Sequence, residues 1–319
     1  MAANHRHAFF VGRASGPEGK ETAMRHLEFR ITAPFAGKKI EWFLRGDRGI
    51  SHRVVIQLKK LPEGILLNGR HARTIDRLAE GDLLEINLPE EPRPMYVSQR
   101  AVEIAYEDDD LLVYNKPADM PCHMSGGHYN DTLANVYAAH CLEKGETVTT
   151  FRPINRLDKD TTGGVVVAKN QIAAGKLWKQ VQKRYLALVE GRLEKEEGVI
   201  DLPILREVPY EMRRVVDPDG QEAITQYRVL ARGEGHTLVE CILHTGRTHQ
   251  IRVHFSYLGH PLAGDTFYGG SAALLERQAL HCGWVSFPHP VTGEAIQLSL
   301  DMHNDMKLAL EKAGCGRFE

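Results

Sequence analysis

The sequence predicts an α+β protein, a mostly antiparallel mixed central sheet preceded by a small α+β unit. Three observations carry this. Short β-rich stretches interleave with helical spacing, without the regular strand–helix–strand rhythm of a parallel sheet. The β-branched run Val165-Val166-Val167 follows Gly163-Gly164 with no polar interruption, the pattern of a strand buried on both faces. Glu91-Pro92-Arg93-Pro94 reads as a stiff linker between a basic segment and the remainder.

Residues 1–33 read as a polar leader with one short strand at 26–32. The small unit spans 34–90. Residues 38–44 suit a helix with Ile40, Phe43 and Leu44 inward, and Ser51 suits the N-cap of a second helix reaching Leu61, with Val54, Val55 and Leu58 on one face. Ile65-Leu66-Leu67 runs into Asn68-Gly69, a dipeptide that favours tight hairpin turns, and Gly81-Asp82 opens a strand at 83–88. In the large unit, 97–305, the alternating stretches 102–106 and 111–116 flank the acidic turn Asp108-Asp109-Asp110 as a hairpin. Helical spacing covers 132–142 and 172–181, with Asn170 as the cap of the second. Further strands are expected at 183–191, 223–230 and 237–244, and residues 306–319 read as a C-terminal tail.

Composition narrows the function classes. The chain has 319 residues, 42% hydrophobic and 26% charged, and its formal net charge of −2 is uneven. Residues 34–77 carry ten Lys/Arg against four Asp/Glu, and such a patch can meet phosphate even where the total is neutral. Five cysteines without Cys-x-x-Cys spacing argue against a disulfide framework or a cysteine zinc site, and for a reducing, cytoplasmic setting. No apolar run approaches the roughly 18 residues of a membrane helix. Sixteen histidines invite a metal, but neither His123/His128 nor His249/His254 has the His-x-x-x-His spacing of a zinc hydrolase, so no metal is expected. No phosphate-cradling or dinucleotide motif occurs, so no cofactor is expected.

Three motifs carry chemistry. Asn155-Arg156-Leu157-Asp158 places a carboxylate beside an arginine just before the buried strand, where a rigid element can aim it. Lys183-Arg184-Tyr185-Leu186-Ala187 is a strand with a tyrosine among basic residues. Thr245-Gly246-Arg247-Thr248-His249-Gln250-Ile251-Arg252-Val253-His254 is a turn entering a helix. In this order, with Gly264-Asp265-Thr266-Phe267-Tyr268-Gly269 and Leu280-His281-Cys282, they resemble the RluA-type pseudouridine synthases over residues 97–300. Ile50-Ser51-His52-Arg53, Asn68-Gly69 and Gly81-Asp82 resemble the S4-like RNA-binding domain.

The resemblance implies a central sheet of the pseudouridine synthase type, and an isomerase that breaks the N1–C1′ bond of uridine in RNA and rejoins the base through C5. It implies Asp158 as the catalytic carboxylate, Arg247 as the guanidinium that keeps it charged, and Tyr185 as the ring beneath the uracil. Arg156 would fill the space left by the extruded nucleotide, and Lys183, His249 and Arg252 would line the substrate site. On the small unit, Arg45, Arg48, His52, Arg53, Lys59 and Lys60 would meet RNA phosphates, supplying affinity rather than base choice. Ribosomal RNA of the large subunit is the favoured partner and transfer RNA the alternative; no protein partner is implied, and a monomer is expected. Asn155 departs from the family's usual histidine and Thr162 from its serine. A non-catalytic RNA-binding or ribosome-assembly factor competes with this reading. So does a nucleoside glycosidase, which ordinarily needs two acids flanking the bond where only Asp158 is well placed.

Overall fold

A computed structural model describes residues 23–90, 93 and 95–316. The leader up to residue 22, most of the expected linker and the last three residues lie outside the described residues; Arg93 is included, its N–H donating to Val148 O at 2.8 Å.

The small unit is a four-stranded sheet with two short helices. Its elements are β1 (Ala23–Arg30), α1 (Ile40–Trp42), α2 (His52–Lys59), β2 (Ile65–Leu67), β3 (Arg70–His71) and β4 (Leu83–Glu90), with strand order β1-β4-β2-β3. The strand expected inside the leader therefore belongs to this sheet. Ile40, Phe43, Leu44, Val54, Val55 and Leu58 are buried together, as their spacing predicts. The first helix, however, passes after Trp42 into a π turn over Phe43–Asp47, which places Phe43 and Leu44 in the core. Ser51 caps α2, its Oγ accepting from Val54 N at 3.4 Å.

The large unit continues with β5 (Glu103–Glu107), β6 (Leu111–Lys116), α3 (Leu133–Glu143), β7 (Arg152–Pro153), β8 (Thr162–Ala168) and α4 (Gln171–Leu177). Then come β9 (Gln182–Glu190), β10 (Glu197–Asp201), β11 (Ile204–Arg206), β12 (Arg214–Val216), β13 (Ile224–Arg232) and β14 (His236–Leu243). The chain closes with α5 (Gln250–Tyr257), β15 (Leu280–Pro288), β16 (Ala295–Ser299) and α6 (Asn304–Lys312). The central sheet runs β10-β13-β14-β9-β15-β8-β6-β5, with β16 and β7 paired beside it; β8–β15 is parallel and every other pair antiparallel. This is the α+β class that the interleaved pattern predicts.

Every residue of β8 is buried. Gly163 takes φ +107°, and a Cβ there would overlap the backbone of Cys282 on β15. Only glycine admits the parallel neighbour that closely. The helix expected at 172–181 ends at Leu177, because Trp178 turns to extended backbone.

Residues 306–316 are not a tail. Met306, Ala309, Leu310, Ala313 and Cys315 are buried against Leu188, Leu238 and Ala279. Arg277 fixes α6 by a two-pronged pair with Asp305 at 2.7 and 2.9 Å.

The units are clasped together. Arg25 on β1 grips Asp110 through Nε and Nη2 at 2.8 and 2.6 Å, and Asn170 Nδ2 donates to the same carboxylate at 2.8 Å. Ile172 of α4 is buried within the small unit's core. The acidic turn thus serves as a lock: Asp108 accepts from Tyr106 Oη and from the Asp110 and Leu111 amides, and pairs with His289 Nε2 at 2.8 Å.

Candidate active site

Asp158 stands on the loop between β7 and β8, held from several sides. Asn155, buried beside it, donates from Nδ2 to Gly164 O and accepts at Oδ1 from Val166 N, both at 2.9 Å. Its amide thus docks the loop on β8, which gives the histidine-to-asparagine departure a structural reason: one donor and one acceptor are all the position uses. Lys116, fully buried at the end of β6, donates from one ammonium to the carbonyls of Pro117, Met120 and Lys159 at 2.8–2.9 Å. Burial lowers its pKa to about 8, which leaves it mostly charged at neutral pH. On the far side, Arg277 Nη1 reaches Asp160 O at 3.2 Å and Gln278 Nε2 reaches Thr161 Oγ1 at 3.2 Å. A loop pinned in this way holds its carboxylate in one geometry.

The guanidinium on that carboxylate belongs to Arg252. Its Nη1 lies 3.3 Å from Asp158 Oδ2, while Nε and Nη2 grip buried Asp265 at 2.7 and 2.9 Å. It also stacks over Tyr268, 5.0 Å from the ring centroid. The pairing with Asp265 and Asp158 outweighs the desolvation that would lower the pKa of Arg252, and raises it. This corrects the expectation for Arg247. That residue sits on the turn before α5, its Nε donating to Glu222 O at 2.8 Å, and among the described residues it forms no ion pair. The reason is local. Gln250 Oε1 accepts from Thr245 Oγ1 and Arg247 N, both at 2.9 Å, and its Nε2 donates to Ile224 O at 3.0 Å. The turn is thereby tied to the start of β13, and Arg247 finds its partner just ahead of that strand, while the first turn of α5 delivers Arg252 to Asp158.

His249 precedes α5 in the left-handed region at φ +59°, an uncommon conformation for a side-chain-bearing residue and one that clusters at functional sites. Its Nε2 lies 3.8 Å from Asp158 Oδ2 and its Nδ1 2.9 Å from Tyr268 Oη. Burial lowers its pKa, favouring the neutral ring. Tyr185 on β9 is buried beside Cys282 and within the field of Asp158; burial, then the Cys282 and Asp158 charges, drive its pKa well above the usual phenol value. The phenol is therefore neutral at physiological pH.

The remaining expected site residues divide. Arg156 is exposed next to Asp158, free to meet a ligand. Lys183 is partly buried, its Nζ donating to Val181 O at 3.2 Å, and burial lowers its pKa. Of the basic residues on the small unit, Arg53, Lys59, Lys60 and His52 are exposed, and Arg45 is exposed beside Glu41 at 3.3 Å. Arg48 instead packs over Phe43 and Phe29, 4.9 and 5.2 Å from their centroids, and lies 3.0 Å from Asp47, so it belongs to the fold. His254, weighed as a metal ligand, is spent on Thr225 Oγ1 and Leu202 O, both at 2.9 Å.

Lys116, Asp265 and Tyr268 are the site residues that reading the sequence passed over. Asp265 and Tyr268 stood within a quoted motif, but only the fold shows that they hold Arg252 and His249. Lys116, in an ordinary strand, gives no signal of its burial.

Similarity to known proteins agrees with this geometry. The family described as RNA pseudouridylate synthase matches residues 110–257. An uncharacterized RNA pseudouridine synthase of Bacillus subtilis (strain 168), YlyB, is 36% identical over 297 residues, 90% of this chain and 98% of the relative. The ribosomal large subunit pseudouridine synthase D of Vibrio vulnificus (strain CMCP6) is 36% identical over 296 residues, 86% of each chain. Among solved structures, human RNA pseudouridylate synthase domain containing 4 superposes with a TM-score of 0.54 at 26% identity, covering 66% of this chain and 92% of that one. With a relative so similar along nearly its whole length, and with a carboxylate, guanidinium and buried tyrosine gathered where the motifs predict a site, the chain belongs to the RluA-type RNA pseudouridine synthases.

Proposed function

We propose that this protein converts uridine to pseudouridine in large-subunit ribosomal RNA, with Asp158 as the group that acts on the ribose. The observation that carries the reading is the Asp158–Arg252–Asp265 chain: a half-buried carboxylate pinned by its loop, paired with a guanidinium that a second, fully buried carboxylate orients. A guanidinium so held gives Asp158 a charge-assisted hydrogen bond at 3.3 Å and fixes the direction in which the carboxylate points. Tyr185, neutral and buried, offers a flat ring for the uracil and a hydroxyl for a proton relay, rather than a ready-made phenolate base. His249 and Tyr268 extend the polar wall beside the carboxylate. Arg156, exposed next to Asp158, occupies the gap that an extruded nucleotide leaves in its stack, offsetting part of the unstacking cost of a few kcal/mol.

The choice of ribosomal RNA rests on relatives such as the Vibrio large-subunit enzyme, which matches along 86% of its length. The small unit supports it as an S4-like RNA-binding domain: Arg45, His52, Arg53, Lys59 and Lys60 present exposed positive or titratable groups to phosphate. Among the described residues no helix is long and apolar enough to cross a membrane. All five cysteines are free and buried, which suits a reducing cytoplasm, and the enzyme acts there as a monomer.

The test is incubation of the purified chain with unmodified transcripts of large-subunit ribosomal RNA and, separately, of transfer RNA. Carbodiimide-dependent reverse-transcription stops should appear in the first and not the second. Stops confined to transfer RNA would move the substrate; stops in neither would remove the activity.

A further inference from the structure

The β11–β12 hairpin stands at the rim of the site, and its tip displays what soluble surfaces usually conceal. Residues 207–213 form the tip, where Val208, Tyr210 and Met212 are all exposed, Tyr210 to 96%. This is not a loose loop. Arg214 Nη1 donates to the carbonyls of Glu211, Met212 and Arg213 at 2.9–3.2 Å, and Arg206 Nε donates to Glu211 O at 2.8 Å. Two guanidiniums thus tie the backbone of the tip, and its apolar side chains stay exposed. Tyr210 also holds φ +74°, a strained region for a bulky residue, so its side chain serves neither local backbone preference nor the core.

The hairpin is anchored to the catalytic wall. At its base, Ile204 and Val216 pack with Ala223, Val253 of α5 and Tyr268. Arg214 N donates to Tyr268 Oη at 3.1 Å, and that hydroxyl meets His249 Nδ1, whose other nitrogen lies 3.8 Å from Asp158. Behind the tip, the Arg213 guanidinium sits 5.9 Å from the ring centroids of both Tyr268 and half-exposed Phe267. A chain of contacts therefore leads from the reacting carboxylate to the base of a hairpin whose tip exposes Tyr210 and whose Arg213 lies over Phe267 and Tyr268. Aromatic faces with arginine are how proteins hold unpaired bases, since every base has a π-face.

We propose that the tip of this hairpin is a stacking platform for a nucleobase flanking the target uridine, with Tyr210 as the ring and Val208 and Met212 as its exposed apolar neighbours on the tip. The inference rests on the RNA-modifying reading above. Extruding a uridine unstacks its neighbours, and a platform next to the site would capture one of them. It is a docking surface for single-stranded RNA rather than for protein, because Arg206, Arg213 and Arg214 lie on the same hairpin and its base is bonded to Tyr268 beside the carboxylate site.

Two measurements test this with the full chain and the large-subunit ribosomal RNA transcript. Tyr210→Ala should raise KM about tenfold with kcat within about twofold, and Tyr210→Phe should behave as wild type. Tyr210→Gly relieves the left-handed strain, so it should raise the melting temperature slightly while showing the same KM defect; a structural role would couple the two losses. Ultraviolet cross-linking of the wild-type complex, read by mass spectrometry, should place nucleotide adducts on Tyr210, Val208 or Met212. Unchanged KM in Tyr210→Ala, or adducts that avoid residues 207–213, would overturn the platform, the first also being what a protein-docking tip would give. An active wild type with an unaffected Tyr210→Ala sinks this inference alone, whereas an inactive wild type sinks the functional reading, and the cross-link still reports on the hairpin.

Discussion

Replacing Arg252 by lysine separates the guanidinium that matters from the one the motif suggests. Arg252 uses three donors at once: Nε and Nη2 on Asp265, and Nη1 on Asp158 at 3.3 Å. A lysine ammonium is a point charge and cannot span both carboxylates as the planar fork does. With Asp265 the more buried of the two, at 2% exposure, the ammonium settles there and the hydrogen bond to Asp158 is lost. A charge-assisted bond contributes about 1.5–3 kcal/mol. Because Asp158 is partly open to solvent, about 2 kcal/mol is the appropriate figure, or about 30-fold in turnover. Arg252→Met would instead strand Asp265 in the interior and cost about 3–5 kcal/mol of stability. Arg247→Lys removes one bond to a backbone carbonyl and should cost about 1 kcal/mol of stability and less than about threefold in rate. The assay is single-turnover release of tritium from RNA labelled at uridine C5, at saturating enzyme, with melting temperatures alongside. A large rate loss in Arg247→Lys with an unimpaired Arg252→Lys would refute the reasoning.

Two further outcomes follow from the groups that hold the site. Asn155→Ala leaves Gly164 O and Val166 N without partners in a buried strand, and should cost about 2–4 kcal/mol in urea unfolding, whereas a loss under about 1 kcal/mol would show that the amide is not what docks the loop. His281 is buried, with Nε2 donating to Leu300 O and Nδ1 accepting from Thr162 Oγ1, and burial lowers its pKa to about 4. The unfolded chain takes up this proton near pH 6.5 and the folded chain does not, so stability is fully present above that pH and falls as pH drops towards 4. The contribution is about 2 kcal/mol between pH 7 and pH 5, and chemical denaturation of His281→Gln should show a correspondingly flatter pH profile; an equally steep one would clear His281 of the effect.

Much of the fold was legible because local rules and the global structure agree. Ser51 and Asn170 each cap the helix that follows, as their types and positions predict. The hydrophobic run after Gly163-Gly164 is a fully buried strand. What was not legible depended on long-range pairing. Residues 306–316 are short and polar on one face, and their burial is decided by Leu188 and Leu238, far distant in the chain. The strand read ahead of residue 34 was assigned to the leader, and only its pairing with β4 shows that it belongs to the small unit's sheet. In the site, Asp158 and Tyr185 announce themselves by motif, but two arginines five positions apart in one motif look equivalent until the Gln250-locked turn sends one to a carbonyl and the other to a carboxylate. Arg48 shows the same limit, since a basic residue in a basic segment reads as a phosphate ligand until three phenylalanines are found around it.

The central claim is that one pinned carboxylate performs the isomerisation, and the most direct measurement compares wild type with Asp158→Asn on the same unmodified large-subunit transcript. Asparagine preserves shape and removes charge. The predicted result is C5 tritium release by wild type, none by the variant, and filter-binding affinities for the RNA within a few-fold of each other. Equal tritium release from the two proteins would contradict it.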